Sequence, residues 1–187
     1  MYHFPFSFDF IPTVQQFAYK HITEIPTVVL FGAQLDEISE QVNKELEYYK
    51  LPTLFSAHIF RKPPHTTQDI HKDVYFLNDG RKVIKEVAYN LPVYGCENTS
   101  MEWFEGKCIE KFETLKLSGN RTVFRYHPEW EDGPHLAERM EFKGAHFFKI
   151  NKYHRAITGN EERVVVSLRF NGNLKIEDYY NKVNNLK

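Results

Sequence analysis

The chain has 187 residues, 42% hydrophobic and 16% aromatic, enough to bury one sizeable core but short for two full-sized domains. Its 24 basic and 25 acidic side chains leave a formal net charge of −1, which argues against a protein whose main task is gripping nucleic acid or an anionic membrane. Sixteen Phe and eleven Tyr exclude a disordered chain, and no run approaches the roughly 18 apolar residues of a spanning helix. The first residues, Met1 to Asp9, lack a basic segment followed by a clean apolar stretch, so a cytoplasmic location with no membrane partner is expected. Cys96 and Cys108, a lone pair in a chain of this size, read as free thiols.

Along the chain, Pro5, Pro12 and Pro26 punctuate the first thirty residues, and Thr27 to Phe31 reads as a strand framed by turns. From Gln34 to Tyr49 the period changes. Leu35, Ile38, Val42, Leu46 and Tyr49 fall three to four apart and predict one helix with a single apolar face, acids early and Lys50 late. After Pro52 come short runs rich in Val, Ile, Phe and Tyr. They are broken by turn signals at Asn78-Asp79-Gly80, Gly95, Ser118-Gly119-Asn120, Asp132-Gly133 and Thr158-Gly159-Asn160. Many short strands at this spacing predict a sandwich or barrel, mainly β with flanking helices. A single domain is expected, with support from about 1–55, a barrel over about 56–171 and a tail over 172–187 that forms a short helix or an ordered end. His127-Pro128 and Pro134-His135 flank Trp130 in a stretch that reads as a loop near the barrel mouth, a candidate lid.

Two segments carry chemistry. In Ile70 to Tyr75 the residue types suit an extended chain, and alternation sends His71 and Asp73 to one face, where an imidazole and a carboxylate offer two corners of a metal site. In Arg163 to Phe170, alternation puts Arg163, Val165, Ser167 and Arg169 on one face and Val164, Val166, Leu168 and Phe170 on the other. The apolar face is core. The opposite face, two guanidinium groups with a hydroxyl between them, suits a carboxylate ligand through charge-assisted hydrogen bonds.

A His-x-Asp pair, the distant His154, Arg163 nine residues beyond it and Ser167 four further on resemble the iron(II) and 2-oxoglutarate-dependent oxygenases. The resemblance covers roughly residues 58 to 170 and implies a double-stranded β-helix, the jelly-roll barrel of cupin-like proteins. It also implies that His71, Asp73 and His154 hold Fe(II), while Arg163 anchors the distal carboxylate of 2-oxoglutarate with help from Ser167. Ala88 to Asn98 is similar to the strand and turn after the first two ligands in small bacterial and viral members. Arg169, six beyond Arg163, resembles the second arginine of the alkylated-base demethylase branch. Tyr75, Tyr89 and Asn90 are further candidates to contact the cosubstrate. The halogenating branch carries a small residue where Asp73 stands, so the carboxylate implies hydroxylation or demethylation. The implied partners are dioxygen, 2-oxoglutarate and a protein or small-molecule substrate, and near-zero net charge makes nucleic acid a weaker one. A non-catalytic metal-binding jelly-roll module and a nucleic-acid base demethylase stay open beside the hydroxylase.

Overall fold

The computed structural model describes residues 1–76, 82–83, 85–117 and 121–185, with backbone alone at 75–76, 82–83, 112–117 and 121–126. Chain order is β1 (His3–Pro5), α1 (Ile11–His21), β2 (Thr27–Phe31), a 3-10 turn (Gly32–Leu35), α2 (Asp36–Tyr48), β3 (Leu54–Lys62), β4 (Lys72–Phe76), β5 (Lys82–Val83) and β6 (Val87–Tyr94). Then follow β7 (Ser100–Glu105), β8 (Cys108–Leu117), β9 (Arg121–Trp130), β10 (His135–Glu141), β11 (His146–Lys149), β12 (Tyr153–Ile157), β13 (Arg163–Phe170) and α3 (Ile176–Asn184).

One sheet has the order β1-β11-β6-β13-β3-β2, and two smaller ones run β10-β7-β12 and β5-β4-β9-β8. Antiparallel bridges Thr67↔Ile157 and His71↔His154 join the smaller sheets side by side into a second layer. The chain alternates between layers: β3, β6, β11 and β13 lie in the first, and β4, β7, β10 and β12 in the second. That crossing pattern is the jelly roll that the resemblance implies, and a form of the sandwich or barrel that the strand spacing predicts.

Strand alternation divides the core in two. Val164, Val166, Leu168 and Phe170 of β13 pack with Tyr89, Phe147 and the apolar faces of the three helices. Val165 packs instead with Ala88, Met101, Trp103, Phe142, Phe148 and Ala156 between the two layers. Helices on one side and the second sheet on the other bury β13 along its whole length.

Local structure departs from expectation in two places. The segment before Thr27 holds α1, because Pro12 sits in the first turn, where a helix needs no N–H from it. The Glu45 carboxylate, reaching from α2, accepts the N–H groups of Asp9 and Phe10 at 2.8 and 3.0 Å just ahead of that turn. Secondly, His127 to Trp130 form no loop: they end β9, with Trp130 opposite Cys108 and His127 opposite Lys111, and the turn is confined to 131–134. Pro128 is tolerated there because β4 pairs with β9 only over Phe124 to Tyr126, so beyond them β9 is an edge strand. The expected helix from Gln34 begins as the 3-10 turn and continues as α2, and the tail carries α3. The turn signals at 78–80 and 118–120 lie outside the described residues. Cys96 and Cys108 are free thiols, and no described helix is long and apolar enough to cross a membrane.

Phe147 is the hub of the outer core, with ring centroids 4.8 to 5.0 Å from Phe4, Tyr89 and Tyr179. Phe147→Ala is expected to destabilise the fold by about 3–5 kcal/mol, read as a lower urea midpoint at unchanged slope.

Candidate metal centre

His71 and His154 exchange both backbone hydrogen bonds, His71 N–H to His154 O at 3.0 Å and His154 N–H to His71 O at 2.8 Å. Residues directly opposite in an antiparallel pair project to the same side, and the two imidazoles meet with centroids 4.8 Å apart. Asp73, two residues along β4, joins them, and one ligand-capable atom from each of the three side chains lies within 4.8 Å of the others.

Each imidazole is held in the same way. His71 Nδ1 is 2.7 Å from Asp69 O, and His154 Nδ1 is 2.8 Å from Lys152 O. A carbonyl only accepts, so Nδ1 carries a proton in each ring and Nε2 is the nitrogen that offers a lone pair to a metal when the ring is neutral. His71 Nε2 is 3.6 Å from Asp73 Oδ1. The other carboxylate oxygen, Oδ2, accepts from Arg169 at 2.8 Å. Burial pushes the Asp73 carboxyl up, but Arg169 above all, with His154, His71 and His58, outweighs it and holds the group below the usual range, so it is ionised. Two imidazoles and one carboxylate form a donor set that suits a redox-active divalent metal such as Fe(II), which binds imidazole in its neutral form.

Arg169 is 2% exposed. It also donates to Ser167 Oγ, and that hydroxyl donates to Asn90 Oδ1. Beside Ser167 on β3 lies His58, hydrogen-bonded to Ser56 at 3.0 Å. Burial, with Arg169 adding to it, pushes His58 down to about 3.

Arg163, 4% exposed, shares the inner face of β13. Its surface neighbour Glu162 is engaged elsewhere, by Arg61 at 2.8 Å and Tyr94 at 2.7 Å. The Arg163 guanidinium instead stacks on Phe142 at 5.4 Å, and its Nε has no hydrogen-bond partner. Burial lowers its proton affinity, opposed by the adjacent Cys96 thiol. Gly95 permits that adjacency: its φ is +62°, and a Cβ there would stand 1.7 Å from the Glu162 carbonyl oxygen.

The structure thus brings His71, Asp73, His154, Arg169, Ser167 and Asn90 into one connected cluster, with Arg163 on the same inner face. Tyr89 does not join it. It faces the helices and donates to Phe6 O at 2.8 Å, because its strand parity is opposite to that of Asn90. The Tyr75 side chain lies outside the described residues. His58 carries no motif of its own in the sequence, and the signal it does offer is its period-2 relation to Ser56 within a strand.

No family model and no curated protein sequence matches the chain. Among solved structures it is similar to the 2OG complex of a viral collagen prolyl hydroxylase from Paramecium bursaria Chlorella virus-1, at 12% identity over 90% of this chain and 94% of that one, TM-score 0.40. A Pseudomonas putida prolyl-4-hydroxylase matches at 12% identity over 86% and 77%, TM-score 0.39. A cupin 2 domain-containing protein from Halorhodospira halophila matches at 9% identity over 87% and 77%, TM-score 0.33. None of these matches bears on the chemistry, which rests on the side chains above.

His58 sets a pH dependence. The unfolded chain takes up its proton below about pH 6.5, whereas the folded chain resists until about pH 3. Its contribution to stability is therefore whole above pH 6.5 and falls on acidification, by up to about 1.4 kcal/mol per pH unit. Between pH 6.5 and 4.5, His58→Gln is expected to lose about 2 kcal/mol less stability than the parent chain in equilibrium denaturation.

Proposed function

We propose that the chain is an Fe(II)- and 2-oxoglutarate-dependent dioxygenase that hydroxylates a protein side chain or a small molecule. One dioxygen oxidises 2-oxoglutarate to succinate and carbon dioxide and leaves its second oxygen atom on the substrate as a hydroxyl. Iron supplies the oxygen activation that side chains lack. The chain's own residues do the rest. His71 and His154 present oriented lone pairs, Asp73 presents an ionised oxygen, and carbonyl hydrogen bonds fix both rings. Val165, Phe142 and Phe148 belong to the apolar cluster between the two layers, the low-dielectric side of the barrel that strengthens charged contacts.

The observation that carries the reading is Arg163. A buried guanidinium with an unbonded Nε, facing the same interior as the triad, is costly unless an anion completes it. The distal carboxylate of 2-oxoglutarate supplies that anion through charge-assisted, bidentate hydrogen bonds. A binding module that only holds metal has no use for such a group. Arg169, which suggested a base demethylase, is engaged by Asp73 and Ser167 and gives that reading no support.

His154→Ala is expected to abolish both Fe(II) binding and succinate formation. Arg163→Ala is expected to retain the metal while weakening 2-oxoglutarate by about 1.5–3 kcal/mol, measured by anaerobic titration. Succinate production at the parent rate by His154→Ala, or an unchanged 2-oxoglutarate affinity in Arg163→Ala, would overturn the reading.

A further inference from the structure

Asn90, Ser167, Arg169 and Asp73 form one hydrogen-bonded chain that starts in the first sheet and ends on the metal carboxylate of the second. We propose that Asn90 and Ser167 are positioning residues for the metal centre, acting through Arg169 to hold Asp73 with one oxygen turned toward the histidines. The inference rests on the metal-binding reading above and deepens it.

The directions of the two Arg169 bonds are forced, and the third follows from the amide orientation that turns Asn90 Oδ1 to Ser167. A carboxylate only accepts and a guanidinium only donates, so Arg169 gives one N–H to Asp73 Oδ2 at 2.8 Å and another to Ser167 Oγ. The Ser167 hydroxyl has a single proton, which passes to Asn90 Oδ1. That proton is then committed and does not reach a cosubstrate carboxylate as well. Both residues therefore serve the metal ahead of 2-oxoglutarate.

The geometry explains why a relay is needed. Ser167 and Arg169 share the inward parity of β13, and Ser167 stands opposite Asn90 across the β6–β13 pair, so backbone register sets where the relay begins. An arginine side chain is long and rich in rotamers, and a second anchor at Ser167 holds its planar fork in the orientation that meets Asp73. With Oδ2 occupied by Arg169, Oδ1 is the oxygen left beside His71 Nε2, at 3.6 Å. Asn90, Ser167 and Arg169 are all buried, so losing one member leaves a buried polar partner unpaired.

The test is titration of the metal-free full chain with Co(II), followed by visible absorption, which reports both affinity and ligand geometry without turnover. Ser167→Ala and Asn90→Leu are expected to bind Co(II) about 10- to 100-fold more weakly and with a shifted absorption band. Ser167→Thr, which keeps the hydroxyl, is expected to restore both. Asn90→Leu, similar in volume and one bond further from the metal, decides the case where Ser167→Ala does not fold. Parent affinity and spectrum in a folded Asn90→Leu would overturn the relay. With Co(II) binding still lost in His154→Ala, that result would leave the metal centre standing. Co(II) binding unaffected by His154→Ala would overturn the relay and the metal reading together.

Discussion

Two backbone hydrogen bonds between His71 and His154 close the second layer of the barrel and, in doing so, bring together two imidazoles from positions 83 residues apart in the chain. The bridges Thr67↔Ile157 and His71↔His154, with Gln68 N–H to Ala156 O at 3.0 Å and Thr158 N–H to Thr66 O at 2.8 Å, stitch β12 to the segment that leads into β4. The seam that completes the fold is thus also the seam that builds the site. Side chains at such a pair have no freedom to choose a face: antiparallel pairing puts both on one side, and the carbonyls two residues upstream select the tautomer.

Charges inside the barrel then have to be reconciled with burial. Asp73 and Arg169 compensate one another, and a second guanidinium nitrogen of Arg169 donates to Ser167. An apolar pair of similar volume would serve stability as well or better, so what the ion pair adds is direction: it fixes which carboxylate oxygen faces the histidines. Arg163 is the counterexample on the same strand. Its stacking on Phe142 and its proximity to Cys96 soften the burial but do not complete its hydrogen bonding. Two arginines six residues apart thus differ in kind, one bonded to Asp73 and Ser167 and the other buried with its Nε unbonded.

That difference marks what the sequence could and could not tell. Alternation in β13 and the His-x-Asp spacing depend only on a period of two, and the structure places both sets on the expected faces. Period says nothing about which strand lies opposite, so it ranks Arg163 and Arg169 equally and misses that Asn90 stands across from Ser167. The same limit hid His58, which matters because of its neighbours rather than its own motif. Helix α1 was obscured for another reason. Prolines read as turn signals, yet Pro12 at a helix start and Glu45 reaching across from α2 make a stable first turn. At His127 to Trp130 the sequence reads as a loop and the structure has the end of β9, because Pro128 argues against a strand unless the strand is known to be an edge.

The first sheet's inner face, taken across its strands, carries the polarity into the barrel in one row. His146 pairs with Asn90, Asn90 with Ser167, and Ser167 with His58, so four adjacent strands each contribute a polar side chain at one level. On the reverse of three of those strands sit Tyr89, Phe147, Val166 and Leu168, packed against the helices. A sheet that is apolar on one side and hydrogen-bonded on the other needs strict register, because a slip of one residue in any strand would drive that strand's polar side chain into the helical layer. The helices and the metal side are therefore coupled through register. The apolar layer under α1, α2 and α3 keeps β13 from sliding, and an unslipped β13 is what keeps Ser167 and Arg169 aimed at Asp73.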